Sequence, residues 1–508
     1  MLAKIFSGTV IGLDGILIEV EVDVASKGFP RFTIVGLPDK AVGEAKERVR
    51  AAIVNASFKI PDTRITVNLA PADIPKIGSA FDLPMAIGIL TASGIVKKEI
   101  LSDCLFIGEL SLRGDVRKVP GAISIALLAK SKKIKKIFVS RENVSEVILV
   151  DGIEVYPVDR LIDLILHLNE VKLITPFPHQ DFISLIKEEK YDYLFEDIKG
   201  QETAKRALEI AAAGRHHVLF IGPPGSGKTM LAERFPTICP PLTPQQRMEV
   251  ANIYSLAGEM DSSLQRATAP FRAPHHSISP VGLVGGGNGQ IMPGEITLAH
   301  HGVLFLDELP EFPRNALESL RQPLESGTIH IIRAGKRVRL PAQFQMITAM
   351  NPCKCGYLGH PRRACSCPPG SIFSYRRKLS GPLLDRVDIH VEVASVSEEE
   401  IFIESDSENS QSILNRVMEA YQRQQKRYEF KKQNSALKTQ EILQFCSLKK
   451  ESVLFLREAM QTLHLSMRSY HRILKVSRTI ADLAGAESIA TGHVAEALQY
   501  RCLDRESF

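Results

Sequence analysis

The residues whose spacing carries the most chemistry are Gly222, Pro223, Pro224, Gly225, Ser226, Gly227, Lys228 and Thr229, one uninterrupted run. Its glycines let backbone N–H groups converge on phosphate oxygens, Lys228 can reach the β and γ phosphates, and the Thr229 hydroxyl can join a Mg²⁺ shell. A second candidate is Asp307-Glu308, directly after the apolar run Val303 to Leu306. An aspartate at a strand's C-terminal end can hold Mg²⁺ together with Thr229, while the next glutamate can orient and deprotonate an attacking water. Alone, such a pair is commonly a solvated strand end; downstream of a phosphate loop it points to ATP hydrolysis. The third constellation is Cys353-Lys-Cys355 and Cys365-Ser-Cys367. Two C-x-C pairs can present four thiolates to one structural Zn²⁺, or they can be reduced thiols in a loop rich in Pro and Gly. The other cysteines, Cys104, Cys239, Cys446 and Cys502, are scattered and do not form a disulfide framework.

These groups need particular elements to hold them. Val218 to Ile221 is a short bulky run suited to a buried parallel strand, and Met230 to Phe235 continues as helix, so the phosphate loop has the strand, loop and helix it requires. At 508 residues the chain exceeds one hydrophobic core, and about three domains are expected. Residues 1–170 mix alternating stretches such as Ile16 to Val22 with helical patterns such as Asp39 to Asn55, which indicates an α/β or α+β domain. A linker is expected at 171–190, an α/β core at 191–393, and helices rich in Leu, Ala, Arg and Glu over 394–508. The acidic, Ser-rich stretch Ser395 to Ser412 reads as an exposed connection. No apolar run approaches the roughly 18 to 20 residues that span a bilayer, and Gly8, Gly12 and Asp14 interrupt any secretory signal. A cytoplasmic protein is expected. Its 63 basic and 58 acidic residues nearly cancel, to a net +5, so any polyanion surface must come from local clustering.

One such cluster lies between Gly327 and Phe344. Two apolar-alternating arms around Ala334-Gly335 predict a β-hairpin carrying Arg333, Lys336, Arg337 and Arg339 with no acid among them. A pore loop that unfolds polypeptide would want an aromatic or aliphatic tip, and none is expected here. His275-His276 offers a weaker metal-binding candidate, because adjacent histidines in a strand or turn are expected to point apart. Lys132, Lys133, Lys135, Lys136 and Arg141 form a basic stretch that reads as a solvated face or a DNA contact.

Several segments resemble AAA+ ATPases of the magnesium-chelatase and MCM branch. Phe195 to Gln201 looks like the box preceding the phosphate loop, which implies that Ile198, Gly200 and Gln201 lie near adenine. Thr348 to Pro352 is similar to the sensor strand, making Asn351 the residue that helps place the water. Leu383 to Asp388 resembles the arginine-finger segment, with Arg386 serving the ATP of a neighbouring subunit, and Ser466-Met-Arg468 resembles the second sensor of the lid, where Arg472 is the alternative. More narrowly, Phe271 to Ser277, Pro293 to Ile296, His300 to Phe312, Ser380 to Arg386, Gly36 to Asp39 and Phe81 to Pro84 resemble the YifB/ComM family.

That resemblance spans nearly the whole chain. It implies a ribosomal-S5/Lon-protease-like α+β domain at the N-terminus, a P-loop α/β core with a helix-two insert at Phe271 to Glu295 and a pre-sensor hairpin, and a C-terminal helical lid. It places Ala80 and Ile123 where Lon has its catalytic serine and lysine, so proteolysis is not expected. The resemblance further implies a hexameric ring using ATP and Mg²⁺, with the basic hairpin facing its channel, that drives branch migration of DNA in recombination and transformation. The alternative is a chelatase-like motor remodelling a metal-inserting partner protein.

Overall fold

The computed structural model describes residues 1–181, 193–260, 269–287, 291–333, 336–360, 362–379, 381–395, 408–429 and 432–505. Residues 182–190 of the expected linker, most of the acidic connection, the hairpin tip Ala334-Gly335, and Asn288 of the Gly-rich insert lie outside the described residues.

Two sheets organise the chain. In the first, the spatial order is Arg31–Val35, Arg64–Ala70, Asp14–Val24, Leu2–Ile11, Cys104–Phe106, Lys136–Ser140, Glu154–Val158. The Leu2–Ile11 and Asp14–Val24 arms pair antiparallel across a tight turn, and alternation along them buries Ile18, Val20 and Val22. The helix Lys40–Asn55 begins where the Asp39 carboxylate accepts from the Val42 N–H, which satisfies one of the orphan donors of its first turn. Ser79 and the fully buried Lys76 form no Ser-Lys pair: Ser79 donates to the Glu109 carboxylate and the Lys76 ammonium to the Pro71 carbonyl. Ile123 is buried in the core.

The second sheet is parallel, in the order Phe271–Arg272, Val303–Leu306, Gln345–Met350, Val218–Ile221, Ile389–Glu392. Its middle strands are buried throughout, as continuous apolar runs between two layers of helix require. The C-terminal part is helical, with Ser410–Arg427, Lys450–Thr462, Met467–Leu483 and Thr491–Gln499 as its main elements. Helix Pro244–Ala257 ties the two sheets together. Its Val250, Ile253 and Tyr254 share a core with Ile123, Ile125 and Leu298. Its Asn252 accepts from Ser124 at 2.7 Å, and the Ser255 carbonyl accepts from the Gly121 N–H.

The inserted hairpin forms as its alternation predicts, with Thr328–Arg333 antiparallel to Lys336–Pro341 and Arg333 opposite Lys336. Ile329, Ile331, Val338 and Leu340 are buried, while Arg337 and Arg339 are exposed on the other face. The expected tip, Ala334-Gly335, lies outside the described residues, but the arm beside it carries Ile332, opposite Arg337 and 65% exposed. Parity explains it: consecutive Ile331 and Ile332 must point to opposite faces. The buried face meets the first turn of the chain, where a Cβ on Gly12 would come within 2.7 Å of Val338.

Candidate functional site

The loop strand Val218–Ile221 lies between the strand that ends at Met350 and the strand Ile389–Glu392. The phosphate loop therefore emerges at the C-terminal edge of the parallel sheet, where such sheets place ligands. Gly225 and Gly227 take φ of 76° and 88°, and a Cβ at Gly222 would lie 2.2 Å from the Val393 carbonyl. Lys228 curls into this cradle, its ammonium donating to the Gly222 and Pro223 carbonyls at 2.8 Å and approaching Asn351 Oδ1 at 3.4 Å. Burial lowers its pKa, and Asp307 and Glu308 oppose that shift. The Thr229 hydroxyl donates to Asp307 Oδ2 at 2.7 Å. Backbone curvature, a cation held by neutral oxygens, and a hydroxyl beside a carboxylate fit a magnesium triphosphate.

Gln201, at φ 59°, donates to the Ala394 carbonyl and, at 3.4 Å, to the Ser226 carbonyl, so the preceding box reaches the loop. Ile198 is buried beside it in the core, and Gly200 sits at φ 58°. Asn351, Lys228, Thr229, Asp307 and Glu308 thus converge. Arg386 and Arg468 do not join them. Arg386 bonds to Glu325 and the Pro382 carbonyl, and Arg468 donates to Asp385 at 2.7 Å. Arg472 pairs with the buried Asp388, whose carboxyl that cation and His216 help hold well below the usual range against its burial. That engagement leaves Arg468, which is exposed, as the freer of the two lid arginines.

Likenesses to known proteins bear on this geometry. The family description "Magnesium chelatase, subunit ChlI" matches residues 194–401, "Subunit ChlI of Mg-chelatase" matches 20–143, and its C-terminal counterpart matches 407–501. The chain is 45% identical to Competence protein ComM of Haemophilus influenzae, over 99% of this chain and 98% of that one. It is 43% identical to YifB of Escherichia coli at the same coverage. The chain belongs to the YifB/ComM family of magnesium-chelatase-like proteins. A fainter likeness, 26% identity over 32% of the chain, reaches an MCM-type protein of Methanocaldococcus jannaschii.

In this YifB/ComM chain the four cysteine sulfurs all lie within 4.8 Å of one another, and those of Cys353, Cys355 and Cys365 stand 3.4 to 3.6 Å apart. Those are far beyond a disulfide, and close to the roughly 3.8 Å between thiolates on one tetrahedral Zn²⁺ with bonds of about 2.3 Å. The donor set fits zinc. The cluster touches the phosphate loop, because a Cβ on Gly356 would fall 2.5 Å from Pro224.

Contacts between distant residues escaped the sequence reading. His275 and His276 do not point apart: they sit in a turn with ring centroids 4.0 Å apart, and His276 Nδ1 is 3.2 Å from Glu308. Pairing with Glu308 gives His276 a place at the candidate base rather than at a metal. Glu249 on helix Pro244–Ala257 bonds Nε2 of both His300 and His301, at 3.2 and 2.7 Å. This trio looks like a metal cage, but His300 Nδ1 accepts from the Gln343 N–H. Nε2 of that ring then carries the proton and donates to Glu249, so the trio is a hydrogen-bonded clamp. It fixes the start of the strand that ends at Asp307. The two hydrogen bonds hold the Glu249 carboxyl down to about 2, and burial lowers His301 to about 4.

A pH prediction follows from these imidazoles. Unfolded, each takes a proton below about 6.5; folded, His301 and the likewise buried His217 do so only near 4. Between those values the unfolded chain binds more protons, so their contribution makes stability fall as pH drops from about 6.5 toward 4 and stay level above that. Melting temperature against pH should therefore be shallower for His301→Gln than for wild type within that window. Parallel profiles would contradict the neutral clamp.

Proposed function

We propose that this chain is the subunit of a Mg²⁺-dependent, ATP-driven ring motor, hexameric by its family likeness, that moves along DNA and promotes branch migration in recombination and natural transformation. The convergence of Lys228, Thr229, Asp307, Glu308 and Asn351 at the sheet's C-terminal edge carries the ATPase half of this reading. The basic hairpin and the full-length likeness to a competence protein carry the DNA half. In this reading Gly222 to Thr229 cradle the phosphates, Ile198, Gly200 and Gln201 lie at the adenine, Thr229 and Asp307 hold Mg²⁺, Glu308 takes the water's proton, and Asn351 places that water. Arg386 reaches the neighbouring subunit's γ-phosphate, and Arg468 reads it from the lid. Bound Mg²⁺ would supply charge neutralisation at the β and γ oxygens. Residues 1–170 act as a proteolytically inactive Lon-like domain joined by the 171–190 linker to the 191–393 core, with 394–508 as lid, in a cytoplasmic assembly.

Arg333, Lys336, Arg337 and Arg339 are assigned to the DNA backbone. Arg337→Glu with Arg339→Glu should weaken DNA affinity by at least about tenfold and flatten its dependence on salt, since each lost phosphate contact removes about 0.7 to 0.9 from the log-log slope. Fluorescence anisotropy over a salt series measures this; unchanged affinity and slope would remove the hairpin from the DNA path. Ile332, exposed near the hairpin tip, favours a second reading, a motor that remodels a metal-inserting protein. Stimulation of the ATPase by that protein and not by DNA would select it.

Cys353, Cys355, Cys365 and Cys367 are assigned to one structural Zn²⁺. Metal analysis should find about one zinc per chain, and replacing all four by serine should remove it and lower ATP turnover through the Gly356 contact with Pro224. A variant with normal zinc and normal turnover would refute the site.

A further inference from the structure

Asp and Glu make up 58 of the 508 residues, so a stretch as long as Ser326 to Leu384 would ordinarily hold about six or seven; it holds none, against ten Lys and Arg. Only four of those ten belong to the hairpin. The others, Lys354, Arg362, Arg363, Arg376, Arg377 and Lys378, lie in the cysteine loop, in the helix Pro369–Arg376 that follows it, and just past that helix's end. The two parts are one surface, because Arg376 donates to the Pro352 carbonyl beside Cys353. Lys378 is paired with Glu311 at 3.1 Å, but among the described residues no carboxylate stands within salt-bridge distance of the exposed Lys354, Arg363 or Arg377.

Aromatic rings are interleaved with these charges. The Arg363 guanidinium lies 5.2 Å from the Tyr357 ring centre and donates to its hydroxyl, and Arg377 lies 5.2 Å from the ring centre of Phe373, which is 49% exposed. Cations that track a phosphate backbone beside rings on which bases can stack are the combination that binds single strands without sequence preference.

The surface also leads back to the nucleotide site by two contacts. Gly356 packs on Pro224 of the phosphate loop, and the buried Tyr375 shares a core with Met350, the residue before Asn351. We infer that the cysteine loop and helix Pro369–Arg376 form a second DNA-binding surface, separate from the hairpin, that takes single-stranded DNA and reports its occupancy to Asn351 and the phosphate loop. This rests on the DNA-motor reading above. Tyr375 is a positioning residue in it.

The test uses the full chain, a fluorescein-labelled oligothymidine and a non-hydrolysable ATP analogue. Lys354→Glu, Arg363→Glu and Arg377→Glu combined should weaken binding by at least about tenfold and lower the salt slope by roughly 2, at about 0.7 per contact on a single strand. Phe373→Ala should weaken it by about tenfold through lost stacking. Arg363→Lys with Arg377→Lys should retain most of the affinity, and fluorescent-ADP binding with an unchanged melting temperature verifies that each variant is folded. Tyr375→Phe should bind DNA normally yet lose DNA stimulation of ATP turnover. Wild-type-like binding by the charge-reversed and Phe373→Ala chains would overturn the surface while leaving the motor reading intact, whereas a wild-type chain that binds no DNA would overturn both. Full stimulation in Tyr375→Phe would overturn the relay.

Discussion

Replacing Glu308 by Gln is expected to leave ATP binding intact and slow its hydrolysis by about 10² to 10⁴-fold. The amide keeps the size and shape of the side chain and removes only its capacity to take a proton. Glu308 follows the buried strand Val303–Leu306 at φ 51°, a left-handed conformation that a non-glycine residue adopts at a cost of order 1–3 kcal/mol. Its side chain remains about half exposed, 3.2 Å from His276, while its neighbour Asp307 is engaged with Thr229. An acid held in that conformation beside a phosphate loop, and left accessible to water, suits the proposed base. Fluorescent-nucleotide titration and steady-state phosphate release measure the two halves. Turnover within a few-fold of wild type would assign the base elsewhere.

Arg386→Ala should cost about 10³ to 10⁵ in turnover, the span over which arginine fingers act. Within one chain Arg386 makes no bond to Lys228, Asp307, Glu308 or Asn351; it is tethered to Glu325 and the Pro382 carbonyl, with its buried Nε lacking a partner. Those contacts keep Arg386 away from its own chain's phosphate loop, as the proposed finger for a neighbouring subunit requires. Mixing Arg386→Ala with Glu308→Gln chains tests this directly. Each is nearly inactive alone, but a ring containing both has interfaces where an intact Glu308 faces an intact Arg386, and activity should reappear. Rates that merely add would place Arg386 in its own subunit's chemistry or outside chemistry altogether.

What could be read from the sequence is what contiguous residues encode. Gly222 to Thr229 carry their strand, loop and helix in one run, and Asp307-Glu308 sit at the end of an apolar strand, so their convergence was legible before any coordinates. The hairpin was legible for the same reason, its period-2 arms flanking a turn. The clamp of Glu249 with His300 and His301 was not, because its partners are some fifty residues apart and meet only through tertiary packing. Nor was the pairing of His276 with Glu308, since adjacent histidines in a strand or turn were expected to point apart, whereas these two stack. The exposed face of the hairpin was half read: counting charges found Arg337 and Arg339, whereas following the alternation one step further would have exposed Ile332.

The most direct measurement of the whole account is displacement of a labelled strand from a synthetic four-way DNA junction by the purified full-length chain. ATP and Mg²⁺ should drive it at a rate that rises with assembly of the ring, and Lys228→Ala, lacking the ammonium assigned to the phosphates, should abolish it. A wild-type chain that assembles and hydrolyses ATP yet leaves the junction untouched, or one that moves it equally well without Lys228, would contradict an ATP-driven DNA motor.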